Sequence, residues 1–83
     1  MLEIRPNCEC CGRDLAPEDE AYVCTFECTW CPACVDRFPG RACPNCGGNV
    51  QLRPIRPAQA LVKHPASTRR IISPNCLENL RSV

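Results

Sequence analysis

Between Cys8 and Cys46 the chain places nine cysteines, and eight of them form four close pairs: Cys8/Cys11, Cys24/Cys28, Cys31/Cys34 and Cys43/Cys46. Three pairs have two intervening residues and one has three. Such a pair can curl its backbone round one ion and present two thiolates to it, each at about 2.3 Å. Four pairs supply eight ligands, enough for two closed tetrahedral sites. A closed site keeps no position open for water, so the pattern predicts structural metal and no enzyme chemistry.

Three metals compete for these thiolates. Zinc uses all eight, since all-thiolate tetrahedral sites are its usual structural setting. The run Cys28, Cys31, Cys34 followed by Cys43-Pro44 is similar to a bacterial ferredoxin motif, but eight residues separate Cys34 from Cys43 where that motif has three. A single rubredoxin-like iron would leave four paired cysteines without a role. Two zinc ions are the expected cofactors. The pairs can share them sequentially, with Cys8, Cys11, Cys24 and Cys28 on one ion. They can also interleave, with Cys8, Cys11, Cys31 and Cys34 as site 1 and Cys24, Cys28, Cys43 and Cys46 as site 2.

Stepping outward, 83 residues allow one small core, and the aromatic residues are only Tyr22, Phe26, Trp30 and Phe38. A chain of this size needs a staple, either disulfides or metal. Ten cysteines also fit a secreted disulfide scaffold. Against that, Met1 to Asn7 holds no apolar run of the signal-peptide kind, and no 18-residue apolar stretch occurs anywhere. The expectation is a cytoplasmic protein with no membrane association, whose thiols meet a reducing environment that favours metal over disulfides.

The elements that must position the pairs are short. Met1 to Asn7 reads as an edge strand, with Leu2 and Ile4 alternating with charge. Cys8 to Gly12 reads as a zinc knuckle, Gly12 supplying the positive φ that turns backbone amides towards sulfur. Ala21 to Cys24 is a strand candidate leading through a tight turn at Phe26 to Cys28. Val35 to Phe38 predicts one helical turn, ended by Pro39-Gly40. Cys43 to Gly48 is a second knuckle, and Asn49 to Leu52 a closing strand with Val50 and Leu52 on one face. These elements predict a small metal-stabilised α+β domain over residues 1–52.

From Arg53 the composition changes. Prolines at 54, 57, 65 and 74 interrupt it, and residues 58–63 and 75–81 predict two short helices that are marginal alone. Residues 1–52 carry a formal charge of −4, and two divalent ions held by eight thiolates would make that domain more acidic still. Residues 53–83 carry +5. The expectation is a largely flexible basic tail. Nucleic acid is a possible partner but not a favoured one, because the tail has no aromatic residue on which bases could stack.

At this point resemblances enter. The spacing over residues 8–46, Pro44 within the last pair and Phe38 ahead of it resemble RING domains, in which eight ligands bind two zincs in a cross-brace. That resemblance implies the interleaved assignment, with Cys28 or its neighbour position taking the place of the usual histidine. The closeness of Cys28 and Cys31 fits it too, since a sharp turn can send neighbouring pairs to opposite ions, with Phe26 and Trp30 packed beside them. The ligase activity of RING domains does not carry over, because Glu9 stands where an aliphatic residue is usual and Gly47 where a basic one is. The lead-in Leu2 to Cys11, the Phe26 to Cys31 centre and Cys43 to Gly48 resemble a family of small bacterial cysteine-rich proteins known as a domain of unknown function. It implies a bacterial source.

Trp30-Cys31-Pro32-Ala33-Cys34 is similar to the active-site stretch of thioredoxin-like oxidoreductases, but no βαβ unit fits here to position it, so Cys31 and Cys34 read as ligands. Cys10 is the odd thiol of the first knuckle, either a spare small side chain or, more sharply, an alternate ligand or a redox-responsive thiol. Cys76 reads as a small apolar helix residue and His64 as solvated. The function expected is a structural zinc module that binds a protein partner. The alternatives are a thiol-based metal or redox sensor and a nucleic-acid-binding zinc module.

Overall fold

Tyr22, Val23, Thr29 and Trp30 are aromatic or β-branched, the residue types that fit a pleated, half-buried surface. They form the centre and one edge of a three-stranded antiparallel sheet in the computed structural model, which describes residues 1–74 and Cys76. Strand β1 (Tyr22–Val23) lies between β2 (Thr29–Trp30) and β3 (Gln51–Leu52), with Tyr22 opposite both Trp30 and Leu52. The β1–β2 turn is closed by the Cys24 amide donating to the Cys28 carbonyl at 3.2 Å. Glu27 takes φ 66° to complete that turn.

Helix α1 (Pro32–Val35) starts three residues before the expected turn at Val35. The reason is Pro32, whose fixed φ suits the first helical position. Val35 donates to the Cys31 carbonyl, and the chain then leaves through a 3₁₀ turn at Pro39–Arg41 with Gly40 at φ 62°. Phe38 therefore lies past the helix. Its ring meets Trp30 edge-on, centroids 5.1 Å apart, and both are buried with Leu15, Ala21, Val35 and Val50 among the cysteines. Helix α2 (Ala58–Lys63) spans the expected residues. The expected helix at 75–81 lies, apart from Cys76, outside the described residues. This is the small α+β fold with little regular structure that the cysteine-rich composition predicts.

Several local expectations are corrected. Met1 to Asn7 forms no strand; its one pairing is an isolated bridge from Asn7 to Asp14, because Pro6 interrupts the ladder. Thr29–Trp30 is a strand where only a turn was expected. Val50 is buried but Leu52 is exposed, so the two do not share an environment. Trp30 is wholly buried whereas Phe26, at the tip of the β1–β2 turn, is 70% exposed and packs beside neither cluster.

Over its described residues the basic segment is laid along the domain. Arg53 is buried, its guanidinium donating to the Arg5 and Ala16 carbonyls at 3.1 and 3.0 Å. Burial pushes its pKa down, opposed by the charge of Asp19. Arg56 donates to the Leu2 and His64 carbonyls, and Arg70 pairs with Asp14. Backbone carbonyls left over by the irregular N-terminal segment thus attract the cations that composition alone placed in a tail. No helix among the described residues is long and apolar enough to cross a membrane.

Candidate metal centres

The four sulfurs of Cys8, Cys11, Cys31 and Cys34 lie within 4.8 Å of one another. Those of Cys24, Cys28 and Cys43 form a second group by the same measure. The first knuckle thus meets Cys31 and Cys34, not the pair at Cys24 and Cys28, which is the interleaved grouping. Strand β1 makes this happen: it delivers Cys24 at its end, the hairpin returns Cys28, and β2 carries the chain across to Cys31 at the helix start. Two residues of strand between Cys28 and Cys31 place them in different sulfur groups.

A tetrahedron with bonds of about 2.3 Å has edges of roughly 3.8 Å. The Cys11 and Cys31 sulfurs stand 3.8 Å apart, the length of one edge of such a tetrahedron. In the second group Cys24, Cys28 and Cys43 are buried, while Cys46 is exposed and lies outside the 4.8 Å set. It is still close to Cys43, whose sulfur faces the amides of Asn45 and Cys46. All-sulfur donor sets fit zinc, and either group could hold a metal ion.

Backbone amides converge on the sulfurs as they do where thiolate charge must be spread. Cys10 N donates to Cys8 Sγ at 3.4 Å, Phe26 N to Cys24 Sγ at 3.3 Å and Gly48 N to Cys46 Sγ at 3.4 Å. Asn45 Nδ2 adds a side-chain donor to Cys28 Sγ at 3.4 Å. Each knuckle turns on a glycine, Gly12 at φ 79° and Gly47 at φ 78°. A Cβ on Gly12 would meet Ile72 Cδ1 at an ordinary 3.5 Å, so the cost of Gly12→Ala is conformational. We expect it to destabilise the zinc-loaded protein by about 1–2 kcal/mol in denaturant titration; an unchanged midpoint would contradict the role given to this turn.

Burial pushes the thiols of Cys8 and Cys34 up, and that of Cys43 up to about 12. At Cys11 burial acts in the same direction, but the Arg13 amide and the neighbouring sulfurs outweigh it and hold this thiol below its usual range. Raised thiols stay protonated at neutral pH without metal, so zinc must displace their protons on binding. Zinc affinity is therefore expected to rise with pH up to the folded pKa values and to fall on acidification. Competition with a chelator of known affinity across pH will measure this, and a flat profile would contradict it.

Two cysteines behave otherwise than expected. Cys10 is neither spare nor an alternate ligand: it forms a disulfide across 66 positions of sequence with Cys76, which is helical, buried and in neither sulfur group, as expected, but is not unpartnered. Their separation hid this pairing, although two unpaired cysteines beyond eight ligands were its arithmetic signal. Sequence reasoning also missed Glu9. Its carboxylate is buried, accepts from Arg5 Nη1 at 2.8 Å and from the Thr29 amide at 2.6 Å, and so ties the first knuckle to β2. His64 caps the end of α2 through its backbone and joins neither sulfur group.

An uncharacterized protein of Rhizobium meliloti (strain 1021) is 56% identical over 75 residues, covering 89% of each chain. No solved structure matches, and the likeness to RING domains is not confirmed by any of these comparisons. The family model described as "Protein of unknown function (DUF1272)" matches residues 1–56, and with the shared cysteine-rich pattern this chain belongs to that family.

Proposed function

We propose that the protein is a two-zinc binding module whose metals are structural, and that it works by holding out a surface for a protein partner in the cytoplasm. The observation that carries the metal reading is the convergence of the Cys8, Cys11, Cys31 and Cys34 sulfurs, three of the four residues buried and Cys8 Sγ accepting from the Cys10 amide. The fourth ligand of the second site in this reading is Cys46, which neighbours Cys43 but stands outside the close sulfur set. Such closed thiolate sites hold folds together and leave no coordination position for a reaction.

For the partner, the surface offers Leu52 and Ile55, both more than half exposed, beside Glu18, Asp19 and Glu20 around a cavity of about 200 Å³. An apolar floor with an acidic wall suits a basic, partly apolar protein segment. Nucleic acid is less well supported, since Arg53, Arg56 and Arg70 are already engaged by the chain itself. Native mass spectrometry of the purified protein is expected to show two zinc ions per chain. One ion, or the visible absorbance of iron, would overturn the metal reading. Leu52→Glu should retain both ions while losing a stoichiometric partner, which separates the docking surface from the metal sites.

A further inference from the structure

Ser73 stands between the two metal centres. Its amide donates to the Glu9 carbonyl in the first knuckle at 2.7 Å, and its hydroxyl bonds Asn45 Oδ1 at 2.5 Å. Asn45 in turn donates to the Cys28 sulfur of the second site. The same stretch is fastened to the first knuckle at other points. Asn7 Nδ2 donates to the Ile71 carbonyl at 2.9 Å, and Arg70 Nη2 to the Gly12 carbonyl at 2.7 Å. Finally Cys76 is bonded to Cys10, whose amide donates to the Cys8 sulfur. Five attachments converge on two knuckles from one segment that supplies no metal ligand.

We propose that residues 67–74 with Cys76 form a strap that braces the first knuckle and, through Asn45, the Cys28 side of the second metal centre, and that the Cys10–Cys76 disulfide locks this strap so that metal retention at the second centre follows the thiol–disulfide state of the pair. The inference rests on the metal reading above. Groups that hydrogen-bond to metal-binding residues fix the orientation of those ligands, and their loss costs roughly 10–100-fold in metal affinity. The second site depends on the strap most, because its fourth cysteine, Cys46, is exposed and stands off from the other three. Without Ser73, the Asn45 side chain loses one of the contacts that aim its amide at Cys28.

The lock is set by exchange with a small-molecule disulfide of the glutathione type. One protein thiolate attacks it and expels one thiol; the second protein thiolate then attacks the mixed disulfide and expels the other. One S–S bond breaks and one forms, and the two hydrogens of Cys10 and Cys76 leave on the two released thiols. Both cysteines are at most 2% exposed, so exchange requires the strap to lift, and the bond is shielded once made. A reductant therefore opens it at the rate of strap opening.

The test is zinc transfer from the loaded full-length protein to a chromophoric chelator. Three proteins are compared: wild type with the disulfide confirmed by thiol titration, the Cys10→Ser/Cys76→Ser double variant, and Ser73→Ala with its disulfide intact. One of the two ions is expected to leave about 10–100-fold faster from the double variant than from wild type. Ser73→Ala, which removes a single hydroxyl, should accelerate that same ion and leave the other unchanged. Equal release rates in the three proteins, with two ions bound to each, would overturn the lock and leave the metal reading standing. A wild type that never binds two ions would overturn the metal reading itself. If the double variant does not fold, Ser73→Ala decides: acceleration of one ion supports the strap, and none overturns it.

Discussion

Stripping the metal with a strong chelator is expected to abolish the tertiary structure of the domain, with loss of the fluorescence of buried Trp30 and collapse of amide dispersion. The core explains why. Its large apolar members are Trp30, Phe38, Val35, Leu15 and Val50, joined by the cysteines themselves. Each such side chain contributes about 1.5–3 kcal/mol on burial, while ordering the backbone costs about 1–2 kcal/mol per residue. Strands of two residues and a four-residue helix add little local stability. Structural zinc binding amounts to about 10–16 kcal/mol per site in small metal-folded peptides, as much as the whole stability of an ordinary domain. The Cys10–Cys76 bond survives chelation but closes only one long loop and rebuilds neither knuckle. Retention of native Trp30 fluorescence after both ions are gone would defeat this account.

Replacing Glu9 with alanine is expected to cost about 3–5 kcal/mol, the range for breaking a buried ion pair by removing one partner. Glu9 is 2% exposed. The change would strand the Arg5 guanidinium and the Thr29 amide, both of which donate to the same oxygen. Arg5 keeps its second contact with Glu3, so part of its charge stays compensated, whereas the Thr29 amide has lost its acceptor. Urea titration at saturating zinc measures this, and Glu9→Gln, which keeps an acceptor for Thr29, should cost less. A loss under about 1 kcal/mol for the alanine variant would mean that the network is not buried as described.

The metal-ligating residue types were legible because cysteine pairs at two- and three-residue spacing can do little else in a chain this short. Gly12 was legible for the same local reason, since a knuckle needs a positive φ where its amides turn to sulfur. Helix α2 was legible too, bounded by Pro57 and ended before Pro65. The sheet was only partly so: β1 stood out by residue type, whereas β2 was hidden because its two residues lie wedged between cysteines.

Glu9, Arg53 and Cys10 show what was not legible, and for one reason. Each is charged or reactive and would be solvated or spare if judged by its neighbours in sequence. Each is buried because a partner arrives from far along the chain: Thr29 for Glu9, Ala16 for Arg53, Cys76 for Cys10. The sequence by itself determined that cysteines would come in close pairs, how many pairs there are, and that few large apolar residues accompany them. Tertiary structure decided between the sequential and interleaved groupings that pair spacing left open, and it alone laid the described residues of the basic segment along the acidic domain and set Ser73 between the two centres. Ligand spacing is a property of a few adjacent residues and survives any fold. Long-range partners exist only once the chain has closed its loops, and local composition holds no record of which loops those are.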